Sequence, residues 1–166
     1  MFKKILLAIA VALPMSAMAQ KFGVVDIEAV FTAMPETTAM QTQLQETSKK
    51  YEDEFMKLQE EVNKLYADFQ TIQEDANTPA SIKARRLQEV QDRYAKVQQF
   101  RETAQQDLAK LEQQLSTPIQ QKLTDAIKAV GAEGGYTFIM PNEGLLLYTG
   151  SDVTDVTSQV RTKLGS

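Results

Sequence analysis

The chain has 166 residues, 18 basic against 22 acidic side chains, a formal net charge of −4, and neither cysteine nor histidine. That composition excludes disulfides, thiolate nucleophiles, imidazole bases and the usual zinc ligands, and its acidic balance argues against a general nucleic-acid binder. The glycines Gly131, Gly134 and Gly135 lack the following Lys-Ser/Thr of a phosphate loop and read as a helix stop and connection.

In chain order, Lys3 and Lys4 precede an apolar run at residues 5–13, Pro14 breaks it, and Ala17-Met18-Ala19 supplies small residues for cleavage. These are the three regions of a secretory signal, so residues 1–19 are expected to be removed after Ala19. The run is shorter than the roughly 20 residues that span a bilayer, and no later run is long enough, so no stable membrane insertion is expected. Loss of Lys3 and Lys4 takes the basic residues from 18 to 16 and the net charge from −4 to −6. The expected location is the periplasm of a Gram-negative cell.

Residues 21–27 are short, apolar and β-branched, which predicts a strand. From Leu44 the positions Ser48, Tyr51, Phe55, Leu58, Val62, Leu65, Phe69, Ile72 and Ala76 follow in alternating steps of three and four, a coiled-coil stripe. Asn77-Thr78-Pro79 ends that helix. A second stripe runs through Leu87, Val90, Tyr94, Val97, Arg101, Ala104, Leu108, Leu111 and Leu115, with Arg101 as the charged intruder. Two matched stripes joined by so short a turn predict an antiparallel helical hairpin over residues 37–118, with arms of roughly 60 Å.

Pro118 is expected to kink the second arm where it enters a compact base, on a fresh apolar face of Ile119, Leu123, Ala126, Ile127 and Val130. Residues 136–141 and 145–149 read as further strands, with Pro141-Asn142-Glu143-Gly144 as the turn between them. Asp152 or Thr154 is expected to cap a last helix carrying Val153, Val156, Val160 and Leu164. The fold class is therefore α+β, a hairpin projecting from a small sheet body built of residues 20–36 and 119–166.

So small a sheet leaves edges open and a core short of partners, which predicts association of several chains. The residues expected to carry it are Val24, Val25, Phe138, Ile139 and the run Leu145, Leu146, Leu147, the lesser alternative being that the chain's own helices cover that run. Met56, Tyr66 and Phe100 stand off the stripes. They either widen the packed seam or offer a soft contact surface to another chain. Lys83, Arg85 and Arg86, just after the turn, face Glu74 and Asp75 just before it, and either pair across the tip or attract a partner.

The order of parts resembles the Skp (OmpH-like) family of periplasmic chaperones. The residues that carry the resemblance are Gly23-Val24-Val25-Asp26, Pro118-Ile119 followed by Lys122, Ala126, Ile127 and Val130, the Gly135-Tyr136 strand entry, and Asp152-Val153-Thr154 with Val156. The resemblance covers essentially the whole chain beyond the signal. It implies a homotrimer whose strands complete a β-barrel body and whose hairpins project as tentacles. Unfolded outer-membrane β-barrel proteins would be held between them without ATP or any cofactor. The acidic charge departs from the strongly basic relatives, which bears on attraction of clients by positive charge. A structural or adaptor coiled coil that binds one folded partner is the alternative. Catalysis is not expected, because the carboxylates lie scattered over wet helical faces with no orienting partner.

Overall fold

The computed structural model describes residues 20–142, 144 and 146–165. In chain order these form β1 (Lys21–Val25), α1 (Ile27–Ala33), α2 (Pro35–Glu74), α3 (Ala80–Gly134), β2 (Tyr136–Pro141), β3 (Val153–Asp155) and α4 (Thr157–Leu164). The fold is α+β and mostly helical. Among the described residues no helix is long and apolar enough to cross a membrane.

Local chemistry fixes the element ends. Asp26 leaves β1 in an extended conformation and its carboxylate accepts from the Ala29 amide at 2.7 Å, so α1 begins at Ile27 and the first strand stops at Val25. Pro35 opens α2, where its missing N–H costs nothing. The buried Thr37 hydroxyl donates to the Phe31 carbonyl at 2.6 Å, tying α2 back to α1. Gly135 ends α3 in the left-handed conformation (φ 65°), its amide turned onto the carbonyls of Gly131 and Ala132. Pro118 stands inside α3, which continues through it. The Thr117 hydroxyl donates to the Gln113 carbonyl at 2.7 Å just before it.

The sheet has the order β2-β1-β3, with both neighbours parallel to β1. This corrects the expected third strand. Of the residues 145–149, Leu145 and its neighbour Glu143 lie outside the described residues, residues 146–150 take no strand, and Leu147 is fully exposed. The reason is that β1 has only two edges. β2 occupies one and Val153–Asp155 the other, so no edge of β1 is left for the leucine run. The last helix is corrected with it: Val153 and Thr154 belong to β3, and Asp155, rather than Asp152 or Thr154, accepts from the first amide of α4, that of Thr157, at 2.9 Å.

One face of the sheet packs on the helices. Its core joins Val25, Val30 and Met34 to Ile119, Leu123, Ala126 and Val130 of α3 and to Val156 and Val160 of α4. Each fully buried valine contributes about 1.5–3 kcal/mol relative to exposure. The face read from sequence beyond Pro118 thus meets the body, with Ile127 at its edge. Away from the body, α2 and α3 run antiparallel, 40 and 55 residues long, and at 1.5 Å per residue the shorter arm reaches about 60 Å.

Candidate functional site

The hairpin seam differs from the sequence stripe at the ends of the first arm, where Ser48 and Ala76 are exposed, and within the second arm. On α2 the covered positions are the expected Tyr51, Phe55, Leu58, Val62, Leu65, Phe69 and Ile72. On α3 they are Arg86, Val90, Arg93, Val97, Phe100 and Ala104, whereas Leu87, Tyr94 and Arg101 are exposed. Three of the nine stripe positions, Leu87, Tyr94 and Arg101, are therefore displaced by one residue, about 100° around the helix, while Leu108, Leu111 and Leu115 stay covered as expected. Leu87 and Tyr94 look more apolar than Arg86 and Arg93. But arginine can lay its stem along a seam and send its head outwards, and here both heads find carboxylates, Arg93 on Glu61 at 2.5 Å and Arg86 on Glu89 at 2.6 Å.

Phe100 is accordingly placed within the seam, and its expected off-seam position is corrected. Its ring meets Tyr51 edge-on, with centroids 5.9 Å apart. The Tyr51 hydroxyl donates to Asp107 at 3.1 Å, and that bond pushes the Tyr51 pKa above its ordinary value.

Cross-hairpin contacts set both register and face. Glu61 lies opposite Arg93, and the Lys83 ammonium reaches the Gln73 carbonyl at 2.8 Å. Tyr66 therefore falls between Leu87 and Tyr94 along the arm. Leu65, Asp68, Thr71, Ile72, Arg86 and Glu89 line a groove on one side of the seam. The next residue after Leu65 and after Arg86 turns to the other side on each antiparallel helix. This brings Tyr66, Leu87 and Tyr94 to one face, with Met56 about 15 Å nearer the body and further round α2. Their exposures are 50%, 41%, 54% and 63%. Sequence reading singled out Met56 and Tyr66 but assigned Leu87 and Tyr94 to the seam. The signal that could have separated them is the pair Arg86 and Arg93, seven apart, immediately before them.

At the tip, Asp75 organises the turn. Its carboxylate accepts from the Thr78 hydroxyl at 2.6 Å and from the Asn77 amide at 3.0 Å, and these bonds hold its pKa below the ordinary value. The basic cluster is engaged within the hairpin: Lys83 on Gln73, Arg85 on Glu89 at 3.6 Å, and Arg86 on the same Glu89.

The second surface is the outer face of the sheet. Side chains alternate along a strand, so Val25 and Ile139 face the helices, while Phe22, Val24, Phe138 and Met140 share the opposite face, Phe22 against Phe138 with centroids 4.8 Å apart. Val24 is buried among its neighbours, but Phe138 remains half-exposed, and Leu147 and Tyr148 stand almost free of the chain. Leu146 is partly covered.

The family model described as "Outer membrane protein (OmpH-like)" matches residues 21–164. The chain belongs to the OmpH-like family. The match spans β1, both hairpin arms, the remaining strands and α4, so family membership covers the hairpin and the body together. A comparison with curated protein sequences gives no match.

Proposed function

We propose that this chain is an ATP-independent periplasmic holdase that binds unfolded outer-membrane β-barrel proteins between its hairpins and prevents their aggregation. Membership of the OmpH-like family over residues 21–164 carries this reading. The secretory pattern ending at Ala19 supports export and removal of residues 1–19. No catalytic step is part of the proposal.

The working unit in this reading is a homotrimer. An all-parallel sheet is normally covered on both faces, yet here one face carries Phe22, Val24, Phe138 and Met140 with no helix over it among the described residues, and Leu147 and Tyr148 extend the apolar surface. Other copies covering this face would complete a barrel and gather the arms around a common cavity. Val25 and Ile139 then act through the core that holds the sheet rather than by direct contact, and the segment with Leu145, Leu146 and Leu147 joins the contact. Parallel weak contacts from several arms raise the effective concentration of each arm once another has bound. Among the residues proposed to contact clients, Met56 and Tyr66 present free surface, Phe100 supports the seam, and Lys83, Arg85 and Arg86 serve chiefly the tip.

The test is light scattering during dilution of a urea-unfolded outer-membrane β-barrel protein into nucleotide-free buffer, with and without the exported chain. Suppression at about one oligomer per client supports the reading. Unsuppressed aggregation, together with tight binding of one folded envelope protein, rejects it in favour of an adaptor.

A further inference from the structure

The two faces of the distal hairpin differ in charge as well as in hydrophobicity. On the face of Tyr66, the neighbouring positions of α2 are Met56, Gln59, Asn63, Gln70 and Gln73. From α3 the same face receives Ala84, Leu87, Gln91, Tyr94 and Gln98. No Asp, Glu, Lys or Arg occupies these positions; at the tip the face ends at Glu74 of α2 and at Lys83 of α3, whose ammonium reaches the Gln73 carbonyl at 2.8 Å. The opposite face carries Glu54, Glu61, Asp68 and Glu89, with Lys57 paired to Glu54 at 3.6 Å and Arg93 paired to Glu61 at 2.5 Å. Closer to the body the neutral face ends, at Glu52 on α2 and Arg101 on α3.

We infer that this neutral face is the contact surface for client chains and that it selects uncharged, extended segments in which apolar or aromatic side chains alternate with neutral polar ones. The inference rests on the holdase reading and specifies its site. Each Gln or Asn side chain carries two N–H donors and one acceptor oxygen, so the row of exposed amides meets the unpaired N–H and C=O groups of an extended backbone. Tyr66, Leu87 and Tyr94 take up its apolar side chains. A charged client residue set against this face loses water and gains no opposite charge, which disfavours it. Because no ion pair forms, binding here is insensitive to salt. The neutral face therefore answers how an acidic member of the family holds clients without a positive field along its arms.

The test uses the exported chain and two labelled 20-residue peptides. One alternates Val and Tyr with Thr and Gln, and the other has Lys at the Thr and Gln positions. Fluorescence anisotropy reads affinity, and sedimentation and circular dichroism read mass and helicity. The neutral peptide is expected to bind with an affinity that changes less than about twofold from low to high salt, and more tightly than the lysine peptide. Leu87→Ser with Tyr94→Ser weakens neutral-peptide binding by about tenfold or more at unchanged mass and helicity. Glu54→Gln with Asp68→Asn, on the opposite face, leaves it unchanged. Gln70→Glu with Gln91→Glu reverses the preference towards the lysine peptide, a change that mere loss of structure does not produce. Unaltered neutral-peptide binding in the Leu87/Tyr94 variant overturns the inference, as does a changed oligomer mass, which makes the face a contact between copies. If the native chain suppresses client aggregation while the Leu87/Tyr94 variant does so equally well, the face assignment fails and the holdase reading stands. If the native chain suppresses nothing, the holdase reading itself fails.

Discussion

Arg93 reaches across the hairpin to Glu61 at 2.5 Å, from a seam position where an apolar side chain would ordinarily sit. The pair fixes which face of α3 meets α2, because its salt bridge and its stem packing are made only when Arg93, and not Tyr94, points inward. Both side chains keep a third or more of their surface in water, so the ionic part is worth under about 1 kcal/mol. Arg93→Ala is expected to cost about 1 kcal/mol, mostly through lost stem packing. Arg93→Leu is expected to be neutral or stabilising. Denaturant titrations followed by circular dichroism distinguish the two substitutions.

Phe100 and Leu87 make a direct comparison of seam and surface. Phe100→Ala removes the edge contact with Tyr51 and opens a gap in the seam, with an expected loss of about 2–3 kcal/mol. Leu87→Ala removes surface from an exposed side chain, with an expected loss below about 0.5 kcal/mol. Equal losses would restore the seam assigned from the sequence stripe.

Acid should loosen the root and the tip of the hairpin. Lys122 of α3 binds Glu36 of α2 at the root, and that hydrogen bond, with a backbone bond, lowers the Glu36 pKa. Asp75 at the tip is lowered by its bonds to Thr78 and Asn77. A carboxyl whose folded-state pKa lies below its unfolded value contributes stability that is fully present above the unfolded value and is lost as pH falls through the folded one. Thermal stability is therefore expected to decline below the ordinary carboxylate range. Glu36→Gln together with Asp75→Asn flattens that part of the pH profile. A double variant with an unaltered acid slope would assign the dependence to other carboxylates.

Gly134 and Gly135 close α3 onto β2 for different reasons. A Cβ on Gly134 would lie 2.4 Å from the Tyr136 ring. The Tyr136 ring also packs beside Gly23 of β1, so Gly134→Ala is expected to displace the ring and weaken the β1–β2 junction by about 1–3 kcal/mol. Gly135 has open space around it but a φ of 65°, and Gly135→Ala is expected to cost about 1 kcal/mol through backbone conformation alone. Denaturant unfolding measures both losses, and Tyr136 ring signals in NMR shift strongly in the first variant only.

The open sheet face predicts a further separation of folding from assembly. Phe138→Asp puts a charge on the exposed side of β2, away from the helix-packed core. It is expected to lower the sedimenting mass to that of a single chain while helicity is retained. Leu146→Asp should act in the same direction. Unchanged mass in both variants would remove this surface from the interface.

The sequence by itself determined the helical hairpin, its turn at residues 77–80, the apolar face after Pro118, and the strands at β1 and β2. In each of these a local signal, heptad spacing, proline or β-branched residues, agrees with the packing. It also determined the α2 seam from Tyr51 to Ile72, where the regular steps of three and four outweigh the adjacent apolar Met56 and Tyr66. The tertiary structure decided the α3 seam, because Arg86/Leu87 and Arg93/Tyr94 differ by a single step and only the carboxylates that receive their heads, Glu89 of α3 and Glu61 of α2, make the arginines the better inward choice. It likewise decided the third strand. Strand pairing is a competition for the two edges of β1, won by Val153–Asp155 over a more apolar leucine run, and no local pattern reports who holds an edge. The neutral face follows from both levels: its residues are written in the sequence, but they become one surface only when the antiparallel register brings Leu87 and Tyr94 to either side of Tyr66.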